Sequence, residues 1–203
     1  MSQKQFYLSL SSYICVMKLI RLAFILFLFL SCGDKPTPKA KGYFRISFPE
    51  KKYHLVEERG LYTFQLPIYA TLKDDDTAQY SWQNIYFPKQ NGQLHLTYFP
   101  LKENLAEYVE DTHKFVYKHT IKADGINMKE YRAPERKVYG ALYDIEGNTA
   151  SSIQFYLTDS THHFLRGSLY LNEKPNKDSL NVVIDFLRED VARLMQTLEW
   201  ETN

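Results

Sequence analysis

One short apolar run near the start of the chain limits where a folded domain can begin. The run covers residues 22–30, follows Lys18 and Arg21, and ends at Ser31-Cys32-Gly33. A basic start, a short apolar run and small residues at its end are the parts of a secretory signal. The run is too short to cross a bilayer, because a membrane-spanning helix needs about 20 apolar residues. A cysteine directly after such a run marks the cleavage point of bacterial lipoprotein signals, so Cys32 is predicted to be lipidated on its thiol.

Two other interpretations of this run remain open. It could be an uncleaved membrane anchor, or an ordinary secretory signal whose cysteine is incidental. Phe29 lies three residues before the cysteine, where Leu, Val or Ile is more usual. The start of translation is also open, since Met1 and Met17 both precede the run. Under the lipoprotein interpretation, residues 1–31 are the signal peptide and are removed.

Residues 32–42 are predicted to be the lipidated cysteine and a flexible tether that follows it. Residues 33–42, GDKPTPKAKG, contain two prolines, two glycines and three lysines. Such a segment cannot bury enough surface to order itself, so it should extend as a spacer of at most about 35 Å. The second cysteine, Cys15, lies in the removed segment, so the mature chain has no disulfide and no thiolate metal site. The stability of a single domain over residues 43–203 must therefore come from burial.

The charge balance gives no sign of a nucleic-acid partner. Removal of residues 1–31 takes away three of the 25 basic residues and none of the 24 acidic residues, which leaves a formal charge of −2. Nucleic-acid binding calls for a markedly basic face. We therefore expect no nucleic acid among the partners of this chain.

Alternating aromatic segments predict a domain that is rich in strands. Sixteen tyrosines and 13 phenylalanines suit half-buried sheet faces. Alternation and turn signals predict strands over residues 43–48, 61–66 with 68–72, 85–87, 93–99, 126–131, 137–145, 151–157 and 162–171. Asn91-Gly92, Gly147-Asn148 and Asp159-Ser160 predict tight turns between neighbouring strands.

Two segments have the apolar spacing of amphipathic helices. The first covers residues 103–121 and ends at Asp124-Gly125, with this apolar stripe: Leu105, Tyr108, Val109, Thr112, Phe115, Val116 and His119. The second follows a cap at Asp178-Ser179, with this stripe: Leu180, Val183, Ile184, Leu187, Val191, Leu194, Met195 and Leu198. The order of strands, helix, strands and helix predicts an α+β fold, an antiparallel sheet with covering helices. This order resembles the α/β/α sandwich of the PsbP and Mog1 type.

Candidate catalytic and metal-binding residues form no familiar pattern. His113 and His119 are six residues apart on a helix and therefore face different directions. His162-His163 should point to opposite faces of a strand, and His95 should lie on the polar face of its strand. Asp74-Asp75-Asp76 lacks the glycine and the distant glutamate of a calcium loop. We expect no metal, no cofactor and no enzymatic activity.

The most specific pattern after the tether is residues 41–53, KGYFRISFPEKKY. The pattern G-[YF]-x-R-[hydrophobic]-x-[FYL]-P-E-x-x-Y is matched by Gly42, Tyr43, Arg45, Ile46, Phe48, Pro49, Glu50 and Tyr53. Together with Cys32, the tether and a C-terminal helix ending near Trp200, this pattern resembles the gliding-motility lipoproteins called GldD, from gliding Bacteroidetes. The resemblance covers essentially the whole mature chain. It implies a role in gliding and in the associated type IX secretion system, with Cys32 as the one functional position.

Two functional hypotheses follow. The first is a non-enzymatic lipoprotein, anchored on the periplasmic side of a membrane, that assembles with other gliding or secretion proteins. The second is an envelope lipoprotein that binds a small ligand or a cell-wall fragment between sheet and helices. A flat aromatic patch would favour the first, and a deep pocket with converging polar groups the second.

A candidate interaction segment lies just past the tether. Its members are Tyr43, Arg45, Phe48, Glu50 and Tyr53. Phe44, Ile46 and Phe48 are expected to form a first strand on a sheet edge, where another chain could pair.

Overall fold

Antiparallel strand pairing organises the chain from Tyr53 to Trp200. The computed structural model describes residues 46–74 and 82–201, together with residues 17, 18, 20 and 21. The chain divides into two compact units, residues 1–44 and residues 45–203. All the elements below belong to the second unit.

The first five strands precede the first helix. They are β1 (Tyr53–Glu58), β2 (Tyr62–Pro67), β3 (Thr71–Asp74), β4 (Trp82–Phe87) and β5 (Gly92–Pro100). Helix α1 (Leu105–Tyr117) comes next, followed by β6 (Ala123–Ala133), β7 (Val138–Gly147), β8 (Ser151–Thr158) and β9 (His163–Leu171). The chain closes with α2 (Lys177–Thr197) and the short β10 (Glu199–Trp200). Short 3₁₀ turns cover Pro88–Gln90, Lys118–Ile121 and Pro134–Arg136.

The strands form two antiparallel sheets. The larger has seven strands in the order β3-β4-β5-β9-β8-β7-β6, and the smaller has three in the order β1-β2-β10. Strand β6 is an edge of the larger sheet and pairs along its length with β7. Neighbouring strands are mostly also neighbours in sequence, which is the usual result of short hairpin connections.

The two helices lie on opposite faces of the larger sheet. On one face, Val116 of α1 packs with Tyr143 of β7. On the other, Leu187 of α2 belongs to the main core, to which β2, β4, β5, β8 and β9 contribute side chains. Leu142, next to Tyr143, also packs against that main core, as the alternation of side chains along a strand requires. The predicted α+β fold, an antiparallel sheet with covering helices, is therefore confirmed.

The apolar stripe of the last helix is confirmed, but its predicted cap is wrong. Every predicted stripe residue from Val183 to Leu198 is buried, and Leu180 is half-buried. The helix begins at Lys177, two residues earlier than the predicted cap would place it. The backbone N–H groups of Ser179 and Leu180 both donate to the carbonyl of Asn176, so the first turn closes on that residue.

Helix α1 is shorter than predicted. It ends at Tyr117 and tightens into a 3₁₀ turn over Lys118–Ile121. Asp124-Gly125 does not end a helix but lies inside β6, at an irregularity in the pairing with β7. Strand β6 is longer than the predicted residues 126–131 because β7 offers pairing partners along its whole length.

The predicted hairpin at Asn91-Gly92 is present with a longer turn. The 3₁₀ turn over Pro88–Gln90 follows β4, and Asn91 then adopts a left-handed conformation with φ of 49°. Asparagine tolerates this conformation better than most residues do, so it is the natural choice before β5.

Candidate functional site

The candidate interaction segment packs against helix α2 instead of forming an edge strand. Residues 46–52 have no strand pairing, and the first described strand starts at Tyr53. The ring of Phe48 stacks on that of Phe186, with centroids 4.3 Å apart and planes 11° apart. Pro49 has no N–H to donate to a strand ladder, which further disfavours pairing here. The predicted edge strand is therefore wrong for residues 46–48.

A buried carboxylate holds the end of this segment. Asp190 of α2 is only 3% exposed, and Lys51 Nζ lies 2.8 Å from its Oδ1. The hydroxyl of Tyr53 donates to Oδ1 over 2.9 Å, and that of Tyr69 donates to Oδ2 over 2.6 Å. A buried charge is tolerated when it is paired and hydrogen-bonded in this way. We call Lys51, Tyr53, Tyr69 and Asp190 the Asp190 cluster.

The electrostatics of the Asp190 cluster favour a structural role. Burial raises the pKa of the Tyr53 and Tyr69 hydroxyls, and their hydrogen bonds to the carboxylate raise it further. Both hydroxyls therefore stay protonated and continue to donate. Lys51 also donates to the carbonyl of Phe186 over 2.6 Å, and its Nζ lies 3.5 Å from the centre of that ring. The cluster ties the start of the domain to its last helix.

The other predicted site residues do not join the Asp190 cluster or lie outside the described part of the chain. Glu50 is exposed and pairs with its neighbour Lys52 over 2.8 Å. Cys32, Tyr43 and Arg45 lie outside the described residues. Of the predicted segment, Phe48 and Tyr53 thus come together on α2, and Glu50 does not join them.

A second polar cluster lies where β5, β9 and the chain terminus meet. His163 Nδ1 is 2.8 Å from the hydroxyl of Tyr98, and the imidazole stacks on Trp200 with centroids 5.0 Å apart. Burial lowers the pKa of His163, and the opposing effect of Asp159 is smaller. His162 precedes β9 and is exposed, so the strand alternation that the sequence predicted for His162-His163 does not apply to this pair.

The loop before β9 is closed by one carboxylate. Asp159 Oδ1 accepts from the backbone N–H groups of Thr161, His162 and His163, at distances of 2.8 to 2.9 Å. Burial alone would raise the pKa of Asp159, but these three donors lower it well below its usual range. The carboxylate therefore fixes the turn between β8 and β9 and stays ionised.

The aspartates that were considered for calcium do not form such a loop in the described part. Asp74 accepts from Gln83 over 3.0 Å and lies 2.7 Å from a guanidinium nitrogen of Arg59. Both interactions lower the pKa of Asp74. Asp75 and Asp76 lie outside the described residues. Among the described residues, no three His, Cys, Asp or Glu side chains are grouped so that they could hold a metal.

Two further histidines contact aromatic rings, whereas His54 on β1 is exposed. His95 meets the ring of Tyr170 edge-on at 5.2 Å, and His113 meets Tyr143 edge-on at 5.6 Å. The side chain of His119 lies outside the description.

A polar cleft of about 280 Å³ runs beside the first half of α2. Its lining includes Asp144, Ser152, Asn181 and Arg188. The Arg188 guanidinium bonds to Asp144 over 2.7 Å and also to Asp185 on its own helix. Arg188 Nε is buried, and no group in the described part of the chain accepts from it. The cleft is the best candidate for a small-molecule site.

An exposed apolar and basic surface covers the end of α1 and the turn after it. Phe115 is 44% exposed, Tyr117 51% and Ile121 92%. Exposed lysines alternate with these side chains, and we call the whole set the α1 patch: Lys114, Phe115, Tyr117, Lys118, Ile121 and Lys122. Phe115 was predicted to lie on the buried stripe, but Thr112 and Val116 fill that role.

Cations lie over the most central ring of the α1 patch. The Arg166 guanidinium is 4.6 Å from the centre of the Phe115 ring, and Lys118 Nζ is 4.7 Å from it. A surface depression of about 450 Å³ next to them is lined in part by Lys114 and Tyr117. The α1 patch is therefore a wide surface and not a closed pocket.

Two of these features, the Asp190 cluster and the α1 patch, were not predicted, although the sequence contains an indication of each. Asp190 lies at a position that would fall on the apolar stripe of α2, where a charge needs a buried partner. Residues 112–123 contain three lysines and no acidic residue, directly after the acidic first half of α1. Among the described residues, no helix combines the length and the apolar character needed to cross a bilayer.

Comparison with known proteins gives a family. The family model described as "Gliding motility lipoprotein GldD" matches residues 33–200. No curated protein matches the chain at a significant level. Among solved structures, the solution structure of cyanobacterial PsbP (CyanoP) from Synechocystis sp. PCC 6803 is similar, at 10% identity and a TM-score of 0.47, over 80% of this chain and 98% of that one. Because the family match covers most of the sequence, the chain belongs to the gliding motility lipoprotein GldD family.

Proposed function

We propose that this chain is a lipid-anchored, non-enzymatic component of the gliding machinery and of the type IX secretion system linked to it. The family match over residues 33–200 is the observation on which the proposal rests. In this proposal Cys32 is the lipidation site, and the domain stands on the periplasmic side of a membrane, where it binds other gliding or secretion proteins.

The internal chemistry of the domain supports a structural role. Asp190 joins the start of the domain to α2, Asp159 closes the loop before β9, and Asp74 links Arg59 to Gln83. Each of these carboxylates accepts hydrogen bonds from other groups of the protein. An acid–base catalyst instead needs a group within reach of a substrate proton and a pKa near the working pH.

The surface of the domain supports a role in binding partner proteins. The α1 patch exposes large apolar side chains, and such exposed surface is typical of interaction sites. Among the described residues, the long edge strand β6 has a neighbouring strand in its sheet on one side only, and a partner strand could pair with the other side.

Recovery of partners from membranes tests the assembly proposal. A tagged chain is expressed in a gliding host, cross-linked in the living cell and purified from detergent extracts, with a tagged, unrelated lipoprotein as the control. We expect gliding or secretion proteins to be enriched with this chain and not with the control. If a strain that glides normally yields the chain with no such protein, the assembly role is wrong.

The polar cleft beside α2 supports a second candidate function, the binding of a small ligand or cell-wall fragment. Its lining carries three carboxylates, Asp144, Glu146 and Asp185, beside a single guanidinium. It therefore suits neutral or basic polar groups, which the Asn181 amide could also bind. Titration with soluble cell-wall peptides, followed by calorimetry, tests this function. Binding that is lost in Asn181→Ala, and retained in Asn172→Ala outside the cleft, would support it.

A further inference from the structure

We infer that the α1 patch lies on the surface of a lipid bilayer whose headgroups are negatively charged. This inference rests on the proposed lipid anchoring, which holds the domain near a membrane, and adds which face of the domain meets that membrane. It concerns the end of α1 and the turn Lys118–Ile121, and it involves none of the interior clusters.

The geometry of the helix presents the patch as one surface. Thr112 and Val116 are buried and fix the inward direction of α1. With about 100° between successive residues, Lys114 and Lys118 lie on the side of α1 away from Thr112 and Val116, and Phe115 and Tyr117 flank them. The 3₁₀ turn Lys118–Ile121 follows directly, and Ile121 and Lys122 are exposed there. The apolar and the basic side chains are therefore all exposed at the same end of the helix.

The chemistry of the patch fits a bilayer interface. Aromatic and aliphatic side chains enter the boundary between headgroups and acyl chains, while lysines lie along it and extend their ammonium groups to the headgroups. Ile121, at 92% exposure, would leave water on contact. The buried centre of a protein–protein interface is instead depleted of lysine. The alternation of three lysines with three apolar residues therefore favours lipid over a protein partner.

Charge sets which end of the helix makes contact. Residues 112–123 contain no acidic residue and are bounded by Asp111 and Asp124, while Glu107 and Glu110 lie earlier on α1. Lys114 is 2.9 Å from Glu110 and is partly neutralised. Lys118 and Lys122 should therefore contribute most of the attraction to anionic lipid, which fades beyond a Debye length of about 10 Å.

The chain before the domain is long enough for this orientation. Phe48 packs on α2, which lies across the sheet from the patch. The 13 residues between Cys32 and Ile46 span at most about 45 Å. A domain of helix, sheet and helix is roughly 30 Å thick. A lipid on Cys32 can therefore reach a bilayer that contacts α1.

An environment-sensitive label at one new cysteine tests the inference in the lipidated, full mature chain. Ile121→Cys carries the label, and the native thiol is blocked by its lipid. The matched control is Val182→Cys, since Val182 is 54% exposed on the outer side of α2. Each protein is placed in phosphatidylcholine vesicles with or without phosphatidylglycerol. Flotation of the same samples reports anchoring separately, so a failure of lipidation is distinguished from a failure of this inference.

The expected result is a blue shift at position 121, and quenching by lipid-borne quenchers, in vesicles that contain phosphatidylglycerol. Position 182 should stay in an aqueous environment. Lys118→Gln and Lys122→Gln should each lower the ratio of docked to undocked label about fivefold. Floating protein whose label at 121 stays aqueous, or responds as at 182, would overturn the inference. A shift at 121 that needs added membrane proteins would overturn it as well, in favour of a protein partner.

Discussion

Lys51, which is half-buried, forms an ion pair 2.8 Å long with the buried carboxylate of Asp190, and this pair joins the first described segment of the domain to its last helix. The two residues are 139 positions apart in sequence. The pair lies beside the Phe48–Phe186 stack, so charge and aromatic packing fasten the same segment to α2.

Loss of the lysine should destabilise the domain. Lys51→Ala leaves the buried Asp190 carboxylate without its cation, and breaking a buried pair typically costs about 3–5 kcal/mol. We expect about 3 kcal/mol, since two tyrosine hydroxyls still donate to the carboxylate. Urea unfolding measures the change. The neighbouring Lys52→Ala is the control, because Lys52 is exposed and its loss should cost less than about 0.5 kcal/mol. Equal effects at the two lysines would refute a structural role for the pair.

Substitutions on the buried face of α2 should cost more stability than a substitution on its exposed face. Leu187→Ala and Leu194→Ala each empty a buried position and should cost about 2–5 kcal/mol. Val182→Ala, on the exposed side of the same helix, should cost less than about 0.5 kcal/mol. Trp200 fluorescence follows unfolding in all three variants. Losses below about 1 kcal/mol at both leucines would mean that the stripe is not buried.

The stability of the domain should fall as the solution becomes mildly acidic. Burial lowers the pKa of His163 in the folded state, so below the unfolded value of about 6.5 the unfolded chain binds more protons than the folded one. The contribution of neutral His163 is therefore complete above that pH and is lost as the pH falls toward the folded pKa.

The measurement compares unfolding free energy between about pH 7.5 and 5.5 in the wild type, His163→Phe and the control His54→Gln. His163→Phe should flatten the pH dependence, and replacement of His54, which is exposed on β1, should leave it unchanged. An unaltered slope in His163→Phe would show that this histidine is not the titrating group.

Single histidine substitutions should not stop gliding if the chain works without catalysis. We expect cells with His95→Phe, His113→Phe or His162→Phe to glide. Loss of the contacts of one histidine does not remove an interface whose binding energy comes from several residues. Loss of an acid–base residue typically lowers an enzymatic rate about 10²–10⁴-fold. A folded, membrane-attached variant of this set that fails to glide would contradict a non-enzymatic role.

The sequence could predict those elements whose pattern comes from one strong local rule. The stripe of α2 and the hairpin at Asn91-Gly92 depend on periodicity and turn chemistry, and both are present. The cap of α2 was misplaced because Asp178, Ser179 and Asn176 are all good capping residues, and only the chain path selects among them.

The candidate site was harder to predict because it depends on long-range packing. Residues 43–48 alternate like a strand, but Phe48 finds Phe186 on a helix formed much later in the chain. Phe115 fits the apolar stripe of α1 by spacing, and yet it lies outside, under Arg166 from a strand of the sheet. Neither partner could be identified from local spacing.

Lipid attachment at Cys32, and its requirement for gliding, is the central claim, and it can be measured in one strain set. Wild type, Cys32→Ala and the control Cys15→Ala are fed labelled palmitate, and the chain is then isolated while gliding is scored. Label is expected in the wild type and in Cys15→Ala. Cys32→Ala should have no label, keep its uncut precursor and fail to glide. Equal label in Cys32→Ala would show that Cys32 is not the lipidation site, and normal gliding by cells whose chain has no lipid would show that the lipid is not required.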